Sequence, residues 1–407
     1  MATISYDVVV VGAGIAGTSV ALELAQYGAS VAVVDRRGVG AGSSSINSGG
    51  IRTQFSQRAN VVHAERTLRR VSSFRETYGE DIAFRRAGYL LLFQEERMAA
   101  LLGEAVAQQR ELGLPNRLIT PAEAAQVVPG LAVDDLAGAV FSASDGYLDP
   151  RATTSAVGRA ARRAGATVLE DWEVVAVDRE GDRVTAVRSA RGERLVGDRV
   201  VNTAGVWSAR LARLCGVELP IVGRRSQDFI YDVALPDGRL TPLIIDDVLG
   251  LNIHTEGRGF LVGPSETKTY TDPPWSIEHE AAWADQVRER MVQRLPVLRE
   301  PRLAHAWAGF LDCTPDDNPI LGWTGPENLY TFAGFSGHGM CLAPGLAETA
   351  AREIRGESVE EAEVDLYRLD RFSRGTSRPE GVWTGSKEHG FGVTHGGPWR
   401  PTASQDR

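Results

Sequence analysis

The first patterned stretch of the chain is an unbroken apolar run, Val8-Val9-Val10-Val11, closed by Gly12. A β-branched run of that length ending at a glycine predicts a buried strand. Residues 15–26 then place small and apolar side chains at helical spacing and stop before Gly28, a natural C-cap. Residues 30–34 read as a second buried strand. Strand, glycine turn, helix and strand in that order predict the opening of a parallel sheet.

Further along, residues 57–78 read as an amphipathic helix, 88–93 as a strand and 95–112 as a helix. Thr120-Pro121-Ala122-Glu123 is a capping box that opens a short helix. Asp149 followed by Pro150 is an N-cap with proline at N1, opening a helix over 151–164. Strands at 167–169, 172–178, 184–189 and 195–202 come next at short spacing. From 220 to 263 β-rich runs alternate with turns such as Pro236-Asp237-Gly238 and Glu256-Gly257. Helices are predicted near 277–294 and over 342–355. The pattern is an α/β fold carrying an α+β insertion. After Phe372 the chain turns to Gly, Ser, Thr and Pro, and 373–407 is expected to be an irregular tail.

A length of 407 residues suits two or three domains. A net charge of -9 lacks the basic footprint that nucleic acid or an anionic membrane requires, so neither is expected as a partner. Cys215, Cys313 and Cys341 lie far apart with no C-x-x-C pair, which suits reduced thiols and leaves no metal site in view. Residues 1–6 lack a basic n-region, and no apolar run approaches 18 residues. The expected compartment is the cytoplasm.

Gly12-Ala13-Gly14-Ile15-Ala16-Gly17 joins the first strand to the first helix with the G-x-G-x-x-G spacing of a dinucleotide nest. Gly12 makes the tight turn, Gly14 lets the backbone approach a pyrophosphate, and Gly17 lets the helix pack on the strand. The helix amino terminus faces the phosphates. Asp35 ends the second strand, 18 residues after Gly17, where a carboxylate accepts ribose hydroxyls and disfavours the extra phosphate of NADP. NAD and FAD both satisfy this local pattern.

The residues after Asp35 separate the two cofactors. Arg36 opens a glycine- and serine-rich tract through Ser43, Ser44, Asn47, Ser48, Gly49 and Gly50 to Arg52. One reading is a flexible linker. The other, favoured by Ile46, Asn47, Ile51 and Arg52 and by the helix beyond them, is backbone laid against a flat ring. With Thr53-Gln54-Phe55-Ser56, the tract resembles the D-amino acid oxidase superfamily, especially flavoproteins similar to the sarcosine oxidase β subunit and dimethylglycine dehydrogenase. Three later blocks resemble the same family in the same order. They are Val201-Asn202-Thr203-Ala204-Gly205-Val206-Trp207-Ser208, then Thr314-Pro315-Asp316-Asp317-Asn318-Pro319-Ile320-Leu321-Gly322, and finally Gly334-Phe335-Ser336-Gly337-His338-Gly339-Met340.

The resemblance implies a Rossmann-type FAD-binding domain over 1–83, 150–215 and 315–372. Into it is inserted a mainly antiparallel substrate domain over 84–149 and 216–314. It sets Val174 against the adenine, Ala204, Gly205 and Trp207 behind the flavin, and Gly334, Gly337, His338, Gly339 and Met340 over its pyrimidine end. The implied reaction is hydride transfer from an amine-bearing carbon to flavin N5, giving an imine, with oxygen or another acceptor taking the electrons. The substrate is a small amine or amino acid.

Arg52 is the candidate clamp for a substrate carboxylate, with a flavin-phosphate or exposed arginine as the alternative. His338 is a candidate base or a flavin contact. Tyr231, His254 and Arg258 lie on the inserted sheet, each a candidate substrate contact or an ordinary sheet residue, and Trp307 is core or an aromatic wall.

Departures from the family narrow the picture. Monomeric sarcosine oxidases tether FAD through a cysteine five residues before the Thr-Pro-Asp threonine. Gly309 stands there, so FAD is expected to be noncovalent. Family lysines that activate oxygen and hold the substrate carboxylate correspond to Leu261 and Cys341. A flavin-binding assembly or interaction protein with little turnover therefore stays open as a second reading.

Overall fold

The computed structural model describes residues 4–233, 235, 238–265 and 268–381. Two of the three residues in the expected turn Pro236-Asp237-Gly238, and residues 382–407 of the expected tail, lie outside that set.

An eight-stranded sheet is centred on Ile4–Val11, which pairs in parallel with Val31–Val34 on one side and Arg194–Asn202 on the other. Val8 and Val10 pack with the helices Ile15–Gln26 and Gly339–Ile354, while Val9 and Val11 pack with Trp172 and Leu211 on the opposite face. Burial of both faces explains why this strand is a continuous apolar run rather than an alternating one. Thr167–Leu169 extends one edge. Leu329–Ala333 and Ile320–Trp323 extend the other, so the first and last parts of the chain share one sheet.

A nine-stranded sheet takes its strands from residues 89–142 and 222–313. Its pairs are antiparallel except Leu243–Asp246 beside Tyr89–Phe93. The helix Ala282–Arg294 covers one face, burying Val287 and Met291 against Phe229, Phe260 and Val262. The other face borders a large cavity. The architecture is the expected α/β fold with a mainly antiparallel insertion.

Several elements differ from expectation. The helix predicted over 57–78 is two, Arg58–Ser72 and Phe74–Tyr78, broken at Ser73. The helix predicted from 277 begins at Ala282, and 271–281 crosses the molecule without regular structure except a terminal turn. The long strand Arg302–Cys313 escaped prediction because Ala304, Ala306, Ala308 and Gly309 blur its alternation.

The stretch 375–381 has no regular structure, yet it is pinned. Asp316 forms a buried ion pair with Arg371 at 2.7 Å and accepts the Ser377 hydroxyl at 2.8 Å. Asn318 Nδ2 donates to Arg378 O at 2.8 Å. Glu380, 1% exposed, accepts from Ser56 N at 2.6 Å and from Asn60 Nδ2 at 2.9 Å. Its carboxylate also accepts the N–H of the N-cap residue Gln57 at 3.3 Å, and so holds the chain where the helix Arg58–Ser72 begins. Among the described residues no helix is long and apolar enough to cross a membrane.

Candidate active site

A cavity of about 520 Å³ runs between the two sheets, from the glycine turn to Arg52. At the turn, Gly12 has φ +112°, and a Cβ there would lie 2.4 Å from Thr203 O. A Cβ on Gly17 would lie 1.8 Å from Gly12 O, so helix and turn touch through backbone alone. Gly17 itself is not among the lining residues, which agrees with a packing role. Gly14, Ile15 and Ala16 do line the cavity, and Ser44 Oγ accepts the Ile15 N–H at 3.0 Å. Asp35 accepts Ala13 N at 2.8 Å and Arg37 N at 2.9 Å, which ties the end of the second strand to the glycine turn.

The tract forms a continuous wall. Asn47 Nδ2 donates to Ser43 O at 2.9 Å, and its Oδ1 accepts Gly49 N at 2.8 Å, folding the chain over itself. Gly49 has φ +64°. Ser43, Ser44, Asn47, Ser48, Gly49 and Gly50 all border the cavity, as do Arg36, Val174, Ala204, Gly205 and Trp207. Across from the tract, Gly337, His338, Gly339 and Met340 close the wall at the start of the helix Gly339–Ile354. Gly334 lies behind it with φ +80°, its N–H donated to Asp312 at 2.7 Å.

Arg52 and His338 meet in this wall. Arg52 is 3% exposed, donates to Gln54 O, and its guanidinium lies 4.3 Å from the Phe55 ring centroid. Its Nη2 is 3.1 Å from His338 Nε2. A guanidinium only donates, so Nε2 is the acceptor and the imidazole proton sits on Nδ1. Burial, with the nearby Arg52 charge, holds the His338 pKa well below its ordinary 6.5, so the ring is neutral at pH 7. His338 Nδ1 is buried with no hydrogen-bond partner. Behind Arg52, Asp145 accepts Thr53 N at 2.9 Å and fixes the turn; burial pushes its carboxyl up to about 6. The Cys341 thiol donates to Gly50 O at 3.2 Å, and burial pushes its pKa up to about 11.

The second sheet supplies the roof, and the strand Val222–Asp232 reaches it through two residues of one face. Ser226 and Asp228 line the cavity. Tyr231 falls on the opposite face, where its hydroxyl donates to Ala284 O of the covering helix, so the expected substrate contact is corrected by strand alternation. His254 also stands off the lining. It packs on Tyr147 with ring centroids 4.2 Å apart, its Nδ1 lies 2.9 Å from Thr255 O, and burial pushes its pKa down to about 4. Arg258, in the turn before Gly259–Pro264, is exposed and outside the lining too. Trp307 donates to Ile46 O at 3.2 Å and so braces the tract.

Asp228 is the group that sequence reasoning missed. It is 2% exposed, with the Ser48 hydroxyl and the Trp307 indole beside it, and burial pushes its carboxyl up to about 7. Gly263 makes room for it: a Cβ there would lie 2.6 Å from both Asp228 Oδ1 and Asn252 Nδ2. Nothing in the local pattern around Asp228 marks it, since its importance arises from three strands aligned side by side.

These residues fit FAD. The glycine turn leaves no room for side chains, Asp35 lines the cavity beside that turn, and Trp207 Nε1 is a buried donor without a partner on the cavity wall. At position 309 a Cβ would lie 2.5 Å from Ile46 Cδ1, and Cys313 is buried away from the lining. Among the described residues no cluster of His, Cys, Asp or Glu could hold a metal ion.

Comparison with known proteins points the same way. The crystal structure of L-proline dehydrogenase from P. horikoshii matches with a TM-score of 0.84 at 30% identity, over 93% of this chain and all of that one. The bovine (Bos taurus) FAD-dependent oxidoreductase domain-containing protein 1 is 28% identical over 92% of this chain and 86% of its own length. Glycine oxidase from Geobacillus kaustophilus is 28% identical over 83% of this chain and 90% of its own. The family described as DAO, FAD dependent oxidoreductase, matches residues 7–353, and the chain belongs to that family.

Proposed function

We propose that this FAD-dependent oxidoreductase oxidises the C–N bond of a small amino acid or secondary amine, releasing an imine that water hydrolyses. The observation that carries this reading is the buried Arg52–His338 pair on the cavity wall. When bound, FAD would supply the redox chemistry as the hydride acceptor. Arg52 binds the substrate carboxylate, and its planar fork fixes the orientation of the adjacent carbon. His338, neutral and hydrogen-bonded through Nε2, keeps that guanidinium in place. The two-sheet enclosure keeps water from the reacting carbon.

The names of the relatives suggest glycine and L-proline as trial substrates, and the resemblance to the sarcosine oxidase β subunit adds N-methylglycine. Purified protein is expected to carry flavin colour that one or more of these compounds bleaches without oxygen. Return of colour in air, or only with an added quinone, then identifies the acceptor class. Flavin that no amine bleaches would overturn the redox reading and leave a flavin-binding protein.

A further inference from the structure

The end of the cavity remote from Arg52 has an unusual rim. Val175, Leu214 and Trp275, which are 45%, 39% and 36% exposed, all line it. Large apolar side chains gathered on one exposed rim mark a surface that a ligand completes. This rim adjoins the ribose position, because Trp172 N donates to Asp35 O at 2.8 Å and thereby sets Val174 and Val175 beside Asp35.

Trp275 does not come from the glycine-turn sheet. It belongs to 271–281, the segment between the strand Thr269–Tyr270 and the helix Ala282–Arg294 of the opposite sheet. Three groups hold it across the gap. Arg36 Nη2 donates to Trp275 O at 2.9 Å, with the guanidinium carbon 4.0 Å from the indole centroid. Arg210 lies 4.5 Å from the same centroid and pairs with Asp272 at 2.6 Å. Trp207 packs on Trp275 at 5.0 Å, tilted 30°. The Trp207 indole N–H is a buried donor without a partner, so the cluster also offers a hydrogen bond into the cavity.

We propose that 271–281 is a clasp for the adenosine half of FAD, with Trp275 covering the adenine against Val175 and Leu214. The cationic pair Arg36 and Arg210 keeps the indole in place and lends positive charge to the pyrophosphate side. With glycine at 309, where no side chain can bond to the cofactor, retention rests on contacts of this kind. FAD then bridges both sheets, and its release requires the clasp to open.

The test uses the holoprotein, its flavin-free form and ADP as a probe of the adenosine half alone. Trp275→Ala is expected to weaken FAD and ADP binding in parallel by about tenfold or more, the scale of losing one base–aromatic stack. Trp275→Phe should restore most of the loss. FAD release, followed by the rise of flavin fluorescence on dilution, should quicken by a similar factor. ADP affinity within twofold of wild type in Trp275→Ala would overturn the clasp. Should that variant fail to fold, Asp272→Asn frees Arg210 while keeping the indole. It should speed FAD release at least threefold, and an unchanged rate would equally overturn the proposal.

Discussion

The glycine turn and the roof of the cavity bound the same space but are built on different rules. The turn is made of backbone. Gly12, Gly14 and Gly17 act by having no side chain, and their partners lie within a few dozen residues or across one strand pair. The roof is made of side chains brought together by sheet register, so that Asp228, Gly263 and Asn252 share one row although each comes from a different strand. Backbone-built sites impose residue types on neighbouring positions. Side-chain-built sites impose them on positions that become neighbours only after folding.

That contrast can be pressed first at the turn. Gly17→Ala forces a Cβ to within 1.8 Å of Gly12 O and should cost about 3 kcal/mol or more, with loss of bound flavin. Gly103, inside the helix Glu96–Glu111 and outside the cavity lining, has nothing within 4 Å of its would-be Cβ, and Gly103→Ala should leave flavin content unchanged and the melting temperature equal or slightly higher. Equal effects of the two would erase the distinction between close approach and mere flexibility.

At the wall, Arg52→Met should lower kcat/KM for an amino-acid substrate about 100-fold, some 2.7 kcal/mol, while flavin content stays at the wild-type level. Loss of flavin together with activity would make Arg52 a cofactor residue instead.

At the roof, Asp228→Asn reads the buried carboxyl through stability. Its pKa is raised from 3.8 to about 7, so between those values the folded protein holds a proton that the unfolded chain has released. The contribution of Asp228 is therefore full below about pH 4 and lost as pH rises through 7. The variant should match wild type near pH 4 and exceed it above pH 7, by an amount on the order of 4 kcal/mol. Asp145 and Asp317, also raised by burial, follow the same trend in both proteins, so the difference between the two melting curves isolates Asp228. A difference independent of pH would mean that Asp228 titrates normally.

The smallest effect is expected on the far side of the roof strand. Tyr231→Phe removes a hydrogen bond to Ala284 O, worth about 1 kcal/mol of stability, and should leave kcat/KM within twofold of wild type. A large fall in turnover would return Tyr231 to the site.

Much of the molecule is legible before folding. The run Val8 to Val11, the three glycines and Asp35 announce the first sheet, because a strand buried on both faces and a turn without side chains leave local signatures. Arg52 and His338 are legible through the blocks that surround them, though their 3.1 Å contact spans 286 residues of chain and no spacing rule reports it. The expectation for Tyr231 fails by one position. In a strand, neighbouring residues face opposite ways, and only the pairing with Arg302–Cys313 and Gly259–Pro264 reveals which set looks inward. Trp275 leaves no trace at all, since 271–281 has no periodicity and its partners lie far off in sequence, at 36, 207 and 210.

The buried carboxylate of Glu380 has a bearing on how the protein is made. It caps the helix that begins just after Arg52, and the sheet containing the glycine turn takes its last strands from 320–333. A ribosome delivers the turn first and the cap several hundred residues later. The nascent amino-terminal strand must therefore wait, apolar on both faces, until nearly the whole chain has emerged. Partner strands so distant in sequence make for slow folding and a long interval of exposed hydrophobic surface. A truncation a few residues before Glu380 should thus show itself first as poor yield during synthesis, ahead of any defect in the finished enzyme.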